Sequence, residues 1–355
     1  MQHRVLMATA TVAAALVVFA AFVALQPPDD VVDVPAQYIW RVDHPSPGRA
    51  IMASFSADGT QLAWVAENIG SHPPLPTRLA IVDVGARGLG TPRIVPQIQL
   101  GNSQVYPQWR GRDDLVFVSV TAELSTSISS WQTSNSSPAP LIGSLSDSEP
   151  ALHPSGWIGA TFGRDGQYDP MLWRDGELLA LPATGAREGR IDFGPDGELV
   201  AYHRRRHGTI IASMRTLKTV AEVEGRNNLY PALYDDDSVL FFRGKNQAHR
   251  LLTANWRTGS ERVLSTKIKL PAHHLREAMT PDRRFVVVSH FGDQKQYLEV
   301  IDLEGGQSVR FRTDTGRTKD PALGIRDGRV LMAWTGEDGE ERPLYVADIT
   351  RWLPR

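Results

Sequence analysis

The 355-residue chain contains no cysteine. No disulfide can form, and no lipid-modified cysteine can follow an export signal, which excludes a lipoprotein. The chain also lacks a marked excess of charge, because 38 Lys and Arg nearly balance 40 Asp and Glu for a formal net charge of −2. A near-neutral chain gives no reason to expect nucleic acid as a partner.

Three motifs of common enzyme classes are also missing. The chain has no G-x-S-x-G elbow, no G-x-x-x-x-G-K-[ST] phosphate loop and no H-E-x-x-H. These motifs would expose a nucleophilic serine, cradle nucleotide phosphates or bind zinc. We therefore expect a non-enzymatic protein with no cofactor and no metal site. An enzyme that uses Tyr and charged residues as acid and base is the less favoured alternative.

What the chain does contain is a repeated phrase: an apolar strand, a turn of the Pro/Asp/Gly type, and a second apolar strand. The clearest copy runs from Asp192 to Tyr202. Seven copies align on the turn positions Gly59, Asp113, Gly156, Gly197, Asp237, Arg283 and Gly328. Successive turns are 40 to 54 residues apart, and a four-stranded propeller blade needs roughly 40–45 residues. One such sheet cannot bury its faces alone, so the copies must stack in an array or a ring.

Two neighbouring columns of the aligned repeat alternate in size. The large apolar column contains Phe55, Trp109, Leu152, Phe193, Leu233, Met279 and Leu323. The preceding, mostly small column contains Ser54, Gln108, Ala151, Asp192, Ala232, Ala278 and Ala322. Alternation with a period of two is typical of a strand. Small residues suit an innermost strand, where sheets converge on an axis, and large ones suit packing between sheets.

These features predict an all-β fold, a seven-bladed β-propeller over residues 37–355. After the seventh turn, strands are expected at residues 330–334 and at Leu344–Asp348. Residues 37–42 read as a further strand before the first repeat. If that strand pairs with the last blade, it completes the sheet and removes an open edge.

The N-terminus carries a second strong signal. Residues 5–25 form a run of 21 apolar residues interrupted only by Thr9 and Thr11. The run follows a short N-terminal segment, residues 1–4, which carries Arg4. About 20 such residues cross a bilayer, and the charge pattern keeps the N-terminus inside. We expect an uncleaved inner-membrane anchor, a linker at residues 26–36 and a propeller in the periplasm. The alternative is a cleaved signal peptide, although the small-residue cleavage pattern is poor, and it would leave a periplasmic or secreted protein.

One group of residues follows from the alignment. Residues that enter the innermost strands would surround one mouth of the central channel: Met52, Tyr106, Glu149, Arg190, Tyr230, Arg276 and Asp320. Two interpretations stay open. The charges pair with one another in a solvated funnel, or the mouth binds a peptide tail or a small polar ligand, since Tyr and Arg are favoured interface anchors.

A basic segment forms the second candidate site: His203, Arg204, Arg205, Arg206 and His207. The segment follows an apolar strand and precedes Gly208, which predicts a hairpin at a rim of the ring. It is either a solvated turn or a patch that binds phosphate or carboxylate groups on lipids or on a protein partner. A zinc site from its two histidines is disfavoured, since such sites need further ligands.

The apolar–small–Pro/Ala–Asp–Gly phrase resembles the repeat of TolB-like β-propellers. The resemblance rests on residues 193–197, 55–59 and 279–283, and on the Pro that follows Tyr106, Glu149, Tyr230 and Asp320. It covers roughly residues 48–335 and implies a non-enzymatic binding ring in an envelope compartment. The chain leaves no room for the extra α/β domain of TolB. The expected function is a membrane-anchored protein-interaction scaffold in an envelope complex; a soluble ligand-binding propeller is the alternative.

Overall fold

The structure is a computed structural model. It describes residues 31–43, 48–68, 76–99, 101–145, 149–164, 167–184, 186, 188–226, 228–245, 248–269, 275–290 and 296–354. The basic segment 1–4, the expected membrane segment 5–25 and the first part of the expected linker lie outside these ranges. Among the described residues, no helix is long and apolar enough to cross a membrane.

The described chain is all β-strand apart from two short 3-10 helices, Ala36–Tyr38 and Thr350–Trp352. The first fifteen strands are β1 Val31–Asp33, β2 Ile39–Arg41, β3 Gly48–Phe55, β4 Gln61–Asn68, β5 Arg78–Gly85, β6 Gly88–Leu89, β7 Arg93–Ile94, β8 Ser103–Arg110, β9 Asp114–Val120, β10 Thr126–Gln132, β11 Ala139–Leu145, β12 Ala151–Leu152, β13 Ile158–Arg164, β14 Gln167–Arg174 and β15 Glu177–Ala180. The others are β16 Glu188–Phe193, β17 Leu199–Arg204, β18 Gly208–Ser213, β19 Thr219–Glu224, β20 Asn228–Leu233, β21 Ser238–Lys245, β22 Ala248–Asn255, β23 Glu261–Lys269, β24 Phe285–His290, β25 Leu298–Asp302, β26 Ser308–Arg312, β27 Lys319–Arg326, β28 Arg329–Thr335 and β29 Leu344–Asp348.

Hydrogen bonds join these strands into sheets that follow one another along the chain. Four sheets are β3 to β7, β8 to β11, β12 to β15 and β16 to β19. Strands β20 to β26 form an eight-stranded sheet with β1, and β27 to β29 form the last sheet with β2. Within the eight-stranded sheet, β23 and β24 pair only at Ile268 with His290 and at Lys269 with Ser289.

The sheets close into a ring around a central channel. The first strand of each sheet packs against the first strand of a neighbouring sheet, and β27 packs against β3, so that the last sheet meets the first. The backbone N–H of Ala50 donates to the carbonyl of Arg342, 2.8 Å away, across this seam. The hydroxyl of Thr335 donates to the carbonyl of Ala50 at 2.8 Å.

The N-terminal strand predicted at residues 37–42 is present and closes the last sheet. Strand β2 pairs antiparallel with β29, with Ile39 opposite Ala347 and Arg41 opposite Tyr345. Strand β1 also joins the ring, in parallel with β26, although its sequence was interpreted as part of a linker. These two short strands cover the outer edges of two sheets, which would otherwise expose unpaired backbone groups.

Both columns of the repeat are buried throughout, as their alternation predicts. The large column is at most 9% exposed, at Phe55, and the small column at most 5%, at Ser54 and Gln108. Large residues pack between sheets: the indole N–H of Trp109 donates to the carbonyl of Ser54 in the preceding sheet at 3.0 Å. The two columns therefore supply the apolar contacts between neighbouring sheets.

The turn glycine of the clearest repeat copy serves a packing requirement as well as a turn. Gly197 has a φ of +74°, the left-handed region that favours glycine. A Cβ at this position would overlap the ring of His153 from the adjacent sheet. A larger residue would therefore require the His153 ring to move.

Candidate functional site

The residues predicted at the channel mouth share an unusual backbone. Five of the seven adopt left-handed angles: Met52, Tyr106, Arg190, Tyr230 and Asp320, with φ between 46° and 55°. Each also lies at a break in the pairing register of its strand. Such angles cost non-glycine residues on the order of 1–3 kcal/mol each, and a bulge re-aims the side chain that it carries. Equivalent positions of five sheets therefore present their side chains by one repeated distortion.

Four of the predicted mouth residues form one connected cluster, which we call the mouth cluster: Tyr106, Glu149, Arg190 and Tyr230. Arg190 donates from Nη1 to Oε2 of Glu149 at 2.9 Å, and its guanidinium lies 3.7 Å from the ring centroid of Tyr230. The hydroxyl of Tyr106 hydrogen-bonds with Glu149. Each residue comes from a different sheet, so the cluster exists only because the ring brings four sheets together.

The two phenols of the mouth cluster stay protonated. Burial raises the pKa of Tyr106 well above its ordinary value, and the charge of Glu149 raises it further. Burial also raises the pKa of Tyr230, more than the neighbouring Arg190 lowers it. These hydroxyls therefore do not act as bases near neutral pH.

Asp320 lies beside the mouth cluster, together with two lysines that the repeat alignment did not predict. Asp320 interacts electrostatically with Tyr230 and with Lys269. Burial, and after it the like charge of Lys319, together lower the pKa of Lys269 to about 8. Lys269 ends β23 rather than entering an innermost strand, so the repeat columns carried no signal for it.

The last predicted mouth residue, Arg276, turns into the channel instead. Its Nη1 donates to the carbonyl of Leu152, a residue of β12 that lies 124 positions away in the chain, at 2.5 Å. Nη1 also lies 3.9 Å from Oδ1 of the buried Asp192. Arg276 therefore spans the channel and helps to line a cavity within it.

This channel cavity encloses about 170 Å³. Its walls come from several sheets and consist of Ser54, Phe55, Ala57, Gln108, Trp109, Arg276, Glu277, Met279, Thr280, Pro281, Arg283 and Leu323. Ala57 and Pro281 are exposed and belong to turns that end innermost strands. These two residues place an opening of the cavity at the turn side of the ring, while Glu277 in its wall lies within electrostatic reach of Glu149 in the mouth cluster.

Two arginines and two carboxyl groups meet at the channel cavity. Arg283 donates from Nη2 to the carbonyl of Phe193 at 2.7 Å, and its Nη1 lies 3.6 Å from Oδ2 of Asp192. That same Oδ2 accepts a hydrogen bond from the backbone N–H of Leu233. Burial raises the pKa of Glu277 to about 8, which the neighbouring Arg276 only partly offsets. Glu277 is therefore mostly neutral at pH 7. The sequence patterns did not indicate Glu277, Arg283 or Asp192 as site residues.

The basic segment forms the predicted hairpin between β17 and β18 but does not present one basic surface. Arg204 is buried and binds Glu188 at 2.8 Å and Glu222 at 3.3 Å. Burial lowers the pKa of His203 to about 4, so this ring is neutral at pH 7. The exposed members are Arg205, Arg206 and His207. Thus only three of the five side chains, those of the turn itself, are exposed to solvent. The two that belong to β17 are wholly or partly buried.

A buried Ser–His–Glu group outside the channel does not have the geometry of a nucleophilic triad. Oε2 of Glu299 accepts from the hydroxyl of Ser265 at 2.5 Å and lies 2.8 Å from Nε2 of His290. A triad needs the carboxylate on the ring nitrogen opposite the serine, but here Ser265 also contacts Nε2, at 3.2 Å. Its hydrogen bonds connect β23, β24 and β25. They add side-chain links between β23 and β24, whose backbone pairing extends over only two residue pairs.

Within the described ranges, no group of three or more His, Asp or Glu residues is placed to hold a metal ion. The side chains that converge in the channel are guanidinium, phenol, amide and carboxyl groups. Their chemistry suits hydrogen bonding and charge recognition of a ligand.

Comparisons with known proteins identify the fold. No family model matches the sequence, and no curated protein matches it. TolB from Acinetobacter baumannii superposes with a TM-score of 0.55 at 14% identity over 75% of this chain and 66% of that one. The chain spans about two thirds of the length of that TolB. The TolB-like β-propeller expected from the repeat is confirmed at the level of the fold.

Two further solved structures show how widely this fold is used. An oligogalacturonate lyase in complex with manganese has a TM-score of 0.61 at 12% identity, covering 89% of this chain and 93% of the lyase. The β-propeller domain of Cps50 (Swd1) from Myceliophteria thermophila has a TM-score of 0.57 at 12% identity, covering 88% and 100%. Identities this low establish the fold alone, because one fold carries many functions.

The raised pKa of Glu277 leads to a prediction about the stability of the protein at alkaline pH. Its folded pKa of about 8 lies above its ordinary value of 4.5, so the folded state binds the extra proton and stability falls as the pH rises from about 4.5 through 8. We expect Glu277→Gln to match wild type at pH 5 and to exceed it at pH 9 by roughly 3–5 kcal/mol in urea unfolding. Glu198→Gln on the exposed turn serves as the control. Parallel pH curves for wild type and Glu277→Gln would contradict this assignment.

The carboxylate of Glu299 predicts the opposite behaviour at acid pH. Burial opposes its ionisation, but hydrogen bonds from His290, Ser265 and Ser308 prevail and lower its pKa to about 2. Its contribution is therefore complete above the ordinary value of 4.5 and is lost as the pH falls through about 2. Glu299→Gln should lower the free energy of unfolding by roughly 3 kcal/mol at pH 7 and by much less near pH 2. The control is Glu304→Gln, whose side chain is 83% exposed, and an equal deficit at both pH values would refute the prediction.

Proposed function

We propose that this chain is a seven-bladed β-propeller that serves, without catalysing a reaction, as a protein-interaction scaffold in a cell envelope complex. The blade count is supported by the weak junction between β23 and β24, which divides the eight-stranded sheet into two four-stranded halves. With this division every sheet corresponds to one copy of the sequence repeat. Strands β1 and β2 then complete the sixth and seventh blades.

The observation that carries the binding role is the mouth cluster with its distorted backbone. Strained angles persist where the surrounding structure imposes them, and they concentrate at ligand clamps and active sites. Here the strain recurs at five equivalent positions that face one opening. Arg190, with its side chain 32% exposed, is held by Glu149 and Tyr230 and still reaches solvent. An arginine that is preorganised in this way loses little entropy when a ligand contacts it.

A polypeptide segment of a partner protein fits the chemistry of the mouth. Tyr and Arg are the residue types that most often dominate binding energy at protein interfaces. Tyr106 supplies a protonated hydroxyl, while Asp320 and Lys269 supply charges of both signs. Such a mixture recognises a peptide backbone with polar side chains better than it recognises a single strongly charged group. The partner is thus expected to insert one extended segment at the mouth.

The placement in the envelope rests on residues 5–25 of the sequence. A run of this length and apolarity anchors the chain in the inner membrane, and the basic segment 1–4 keeps the N-terminus on the cytoplasmic side. The propeller then lies in the periplasm, where its mouth is available to envelope proteins. A mature chain that begins after residue 20 would contradict the anchor and support a secreted binding propeller.

A second candidate is an enzyme that uses the channel. Two groups with shifted proton affinity favour it, Lys269 beside the mouth and Glu277 in the cavity, both with a pKa near 8. Groups poised near neutral pH are common in active sites. Burial is the largest cause of both shifts, and no other catalytic group is assigned beside either residue, so the scaffold is the better-supported proposal.

Site-specific photo-crosslinking of the full-length protein in native membranes tests the scaffold. A benzophenone residue in place of Met52, the half-buried residue at the equivalent mouth position of the first sheet, should yield one discrete protein adduct. The additional substitution Arg190→Gln should reduce that adduct by at least about fivefold, since charged hydrogen bonds contribute roughly 1.5–3 kcal/mol.

The control position is Leu124, an 80% exposed residue of a loop. Equal adduct patterns at positions 52 and 124 would overturn the mouth as a docking site. The absence of any protein adduct at position 52, together with a small molecule that co-purifies with the protein, would favour the ligand-binding or enzymatic alternatives.

A further inference from the structure

The channel cavity and Asp192, which lies against two of its arginines, contain buried polar atoms whose hydrogen-bonding capacity is not met within the described part of the chain. They are Nη1 of Arg283, Oδ1 of Asp192 and Oε2 of Glu277. The nearest opposite charges lie 3.6 Å from Nη1 of Arg283 and 3.9 Å from Oδ1 of Asp192, beyond hydrogen-bond length. A buried donor without an acceptor costs about 1–3 kcal/mol, so a native site that keeps one calls for an explanation.

The charges around the cavity favour one added negative charge. Arg276 and Arg283 bring two guanidinium groups, and Asp192 lies within 4 Å of both. Burial raises the pKa of Asp192, whereas Arg283 and Arg276 lower it and so favour its charged form. Glu277 adds little negative charge at pH 7, because its pKa is raised to about 8 by burial. A monovalent anion would balance the group, whereas a doubly charged phosphate would face two carboxyl groups.

The other walls of the cavity are apolar. Phe55, Trp109, Met279 and Leu323 belong to the large column of the repeat, and each is less than a tenth exposed. The amide of Gln108 and the hydroxyls of Ser54 and Thr280 add uncharged polar side chains to this wall. A ligand here therefore meets guanidinium donors on one side and aromatic or aliphatic carbon on the other.

We propose that the channel cavity is a binding site for a carboxylate carried on a small apolar group, with Arg283 as its principal donor and Arg276 beside it. Planar guanidinium groups bind carboxylates through paired, charge-assisted hydrogen bonds. The apolar part of the ligand packs against Phe55, Trp109 and Met279. Both a free carboxylic acid and the carboxyl terminus of a peptide have this chemistry.

The size of the cavity limits the ligand. With a volume of about 170 Å³, the cavity admits one residue-sized group but not a folded domain. The opening lies beside Ala57 and Pro281 on the turn side, and the cavity walls named above include no residue of the mouth cluster. This site therefore goes beyond the proposed scaffold role and does not depend on it.

Calorimetric titration of the intact protein at pH 7 tests the site with three probes. N-acetyl-L-leucine should bind at least about tenfold more tightly than N-acetyl-L-leucinamide, because only the first carries the carboxylate. Both molecules have the same apolar side chain, so the difference isolates the charge. The third probe, N-acetyl-Ala-Ala-Leu with a free carboxyl terminus, separates the two sources. Tighter binding of the peptide assigns the site to a chain end, and weaker binding assigns it to a free acid.

Two variants place the bound carboxylate in the cavity. Arg283→Gln should weaken N-acetyl-L-leucine binding at least about tenfold, while Arg112→Gln, on an arginine whose side chain is 68% exposed, should leave it unchanged. Because Arg283→Gln also removes a partner of Asp192 and can unfold the protein, Ala57→Phe provides an independent arm. This substitution narrows the entrance from an exposed turn without altering any charge, and it should abolish binding.

The proposal is overturned by any of three results. They are equal affinity of wild type for the acid and the amide, no binding of the acid at millimolar concentration, and undiminished binding to a folded Ala57→Phe variant. Each result concerns the turn side of the ring, so it leaves the crosslinking test of the mouth unaffected.

Discussion

Closure of the ring is the constraint on which the remaining structure depends. Each repeat forms a small sheet with apolar residues on both faces, and neither face is buried unless another sheet covers it. The large column lies between neighbouring sheets, with Leu233 fully buried and Phe193 1% exposed. The last sheet gains its outer strand from the beginning of the described chain, through the pairing of β2 with β29. Because β2 belongs to the last sheet and leads directly into β3 of the first sheet, this pairing links the two sheets.

The site chemistry follows from this closure. An axis shared by many sheets brings together side chains that are far apart in the sequence, and it excludes much of the solvent between them. Arg190 meets Glu149 and Tyr230 at one end, while Arg276 and Arg283 reach across the channel to other sheets. Partial burial strengthens these charge interactions and produces the shifted proton affinities. The recognition that we propose at the mouth and in the cavity therefore depends on the intact ring.

The sequence predicted those features of the structure that recur in every copy of the repeat. The period predicted the sheets, the alternating columns predicted which residues are buried, and the unassigned strand near residue 40 predicted the closing pair. Alignment also predicted that Tyr106, Glu149, Arg190 and Tyr230 would meet, because equivalent positions of a ring face one axis.

Features that occur in a single repeat could not be predicted in this way. Arg276 occupies a mouth position but crosses the channel, because the chain before β24 forms turns instead of a regular first strand. Glu277 and Lys269 belong to no repeated column, and their altered proton affinity arises from tertiary burial. The basic segment looked uniform in sequence, yet alternation along β17 and the pairing of Arg204 with Glu188 divide it.

A disulfide across the seam of the ring provides the most direct test of closure. Arg49 and Arg342 form a parallel bridge between the first and last sheets, and the natural chain contains no cysteine to interfere. In the variant Arg49→Cys/Arg342→Cys, mild oxidation should give a quantitative intramolecular disulfide, measured by mass spectrometry of the monomer, since paired residues on adjacent strands lie within bonding range. Thiols that stay reduced, or that react only between molecules, would contradict a closed ring.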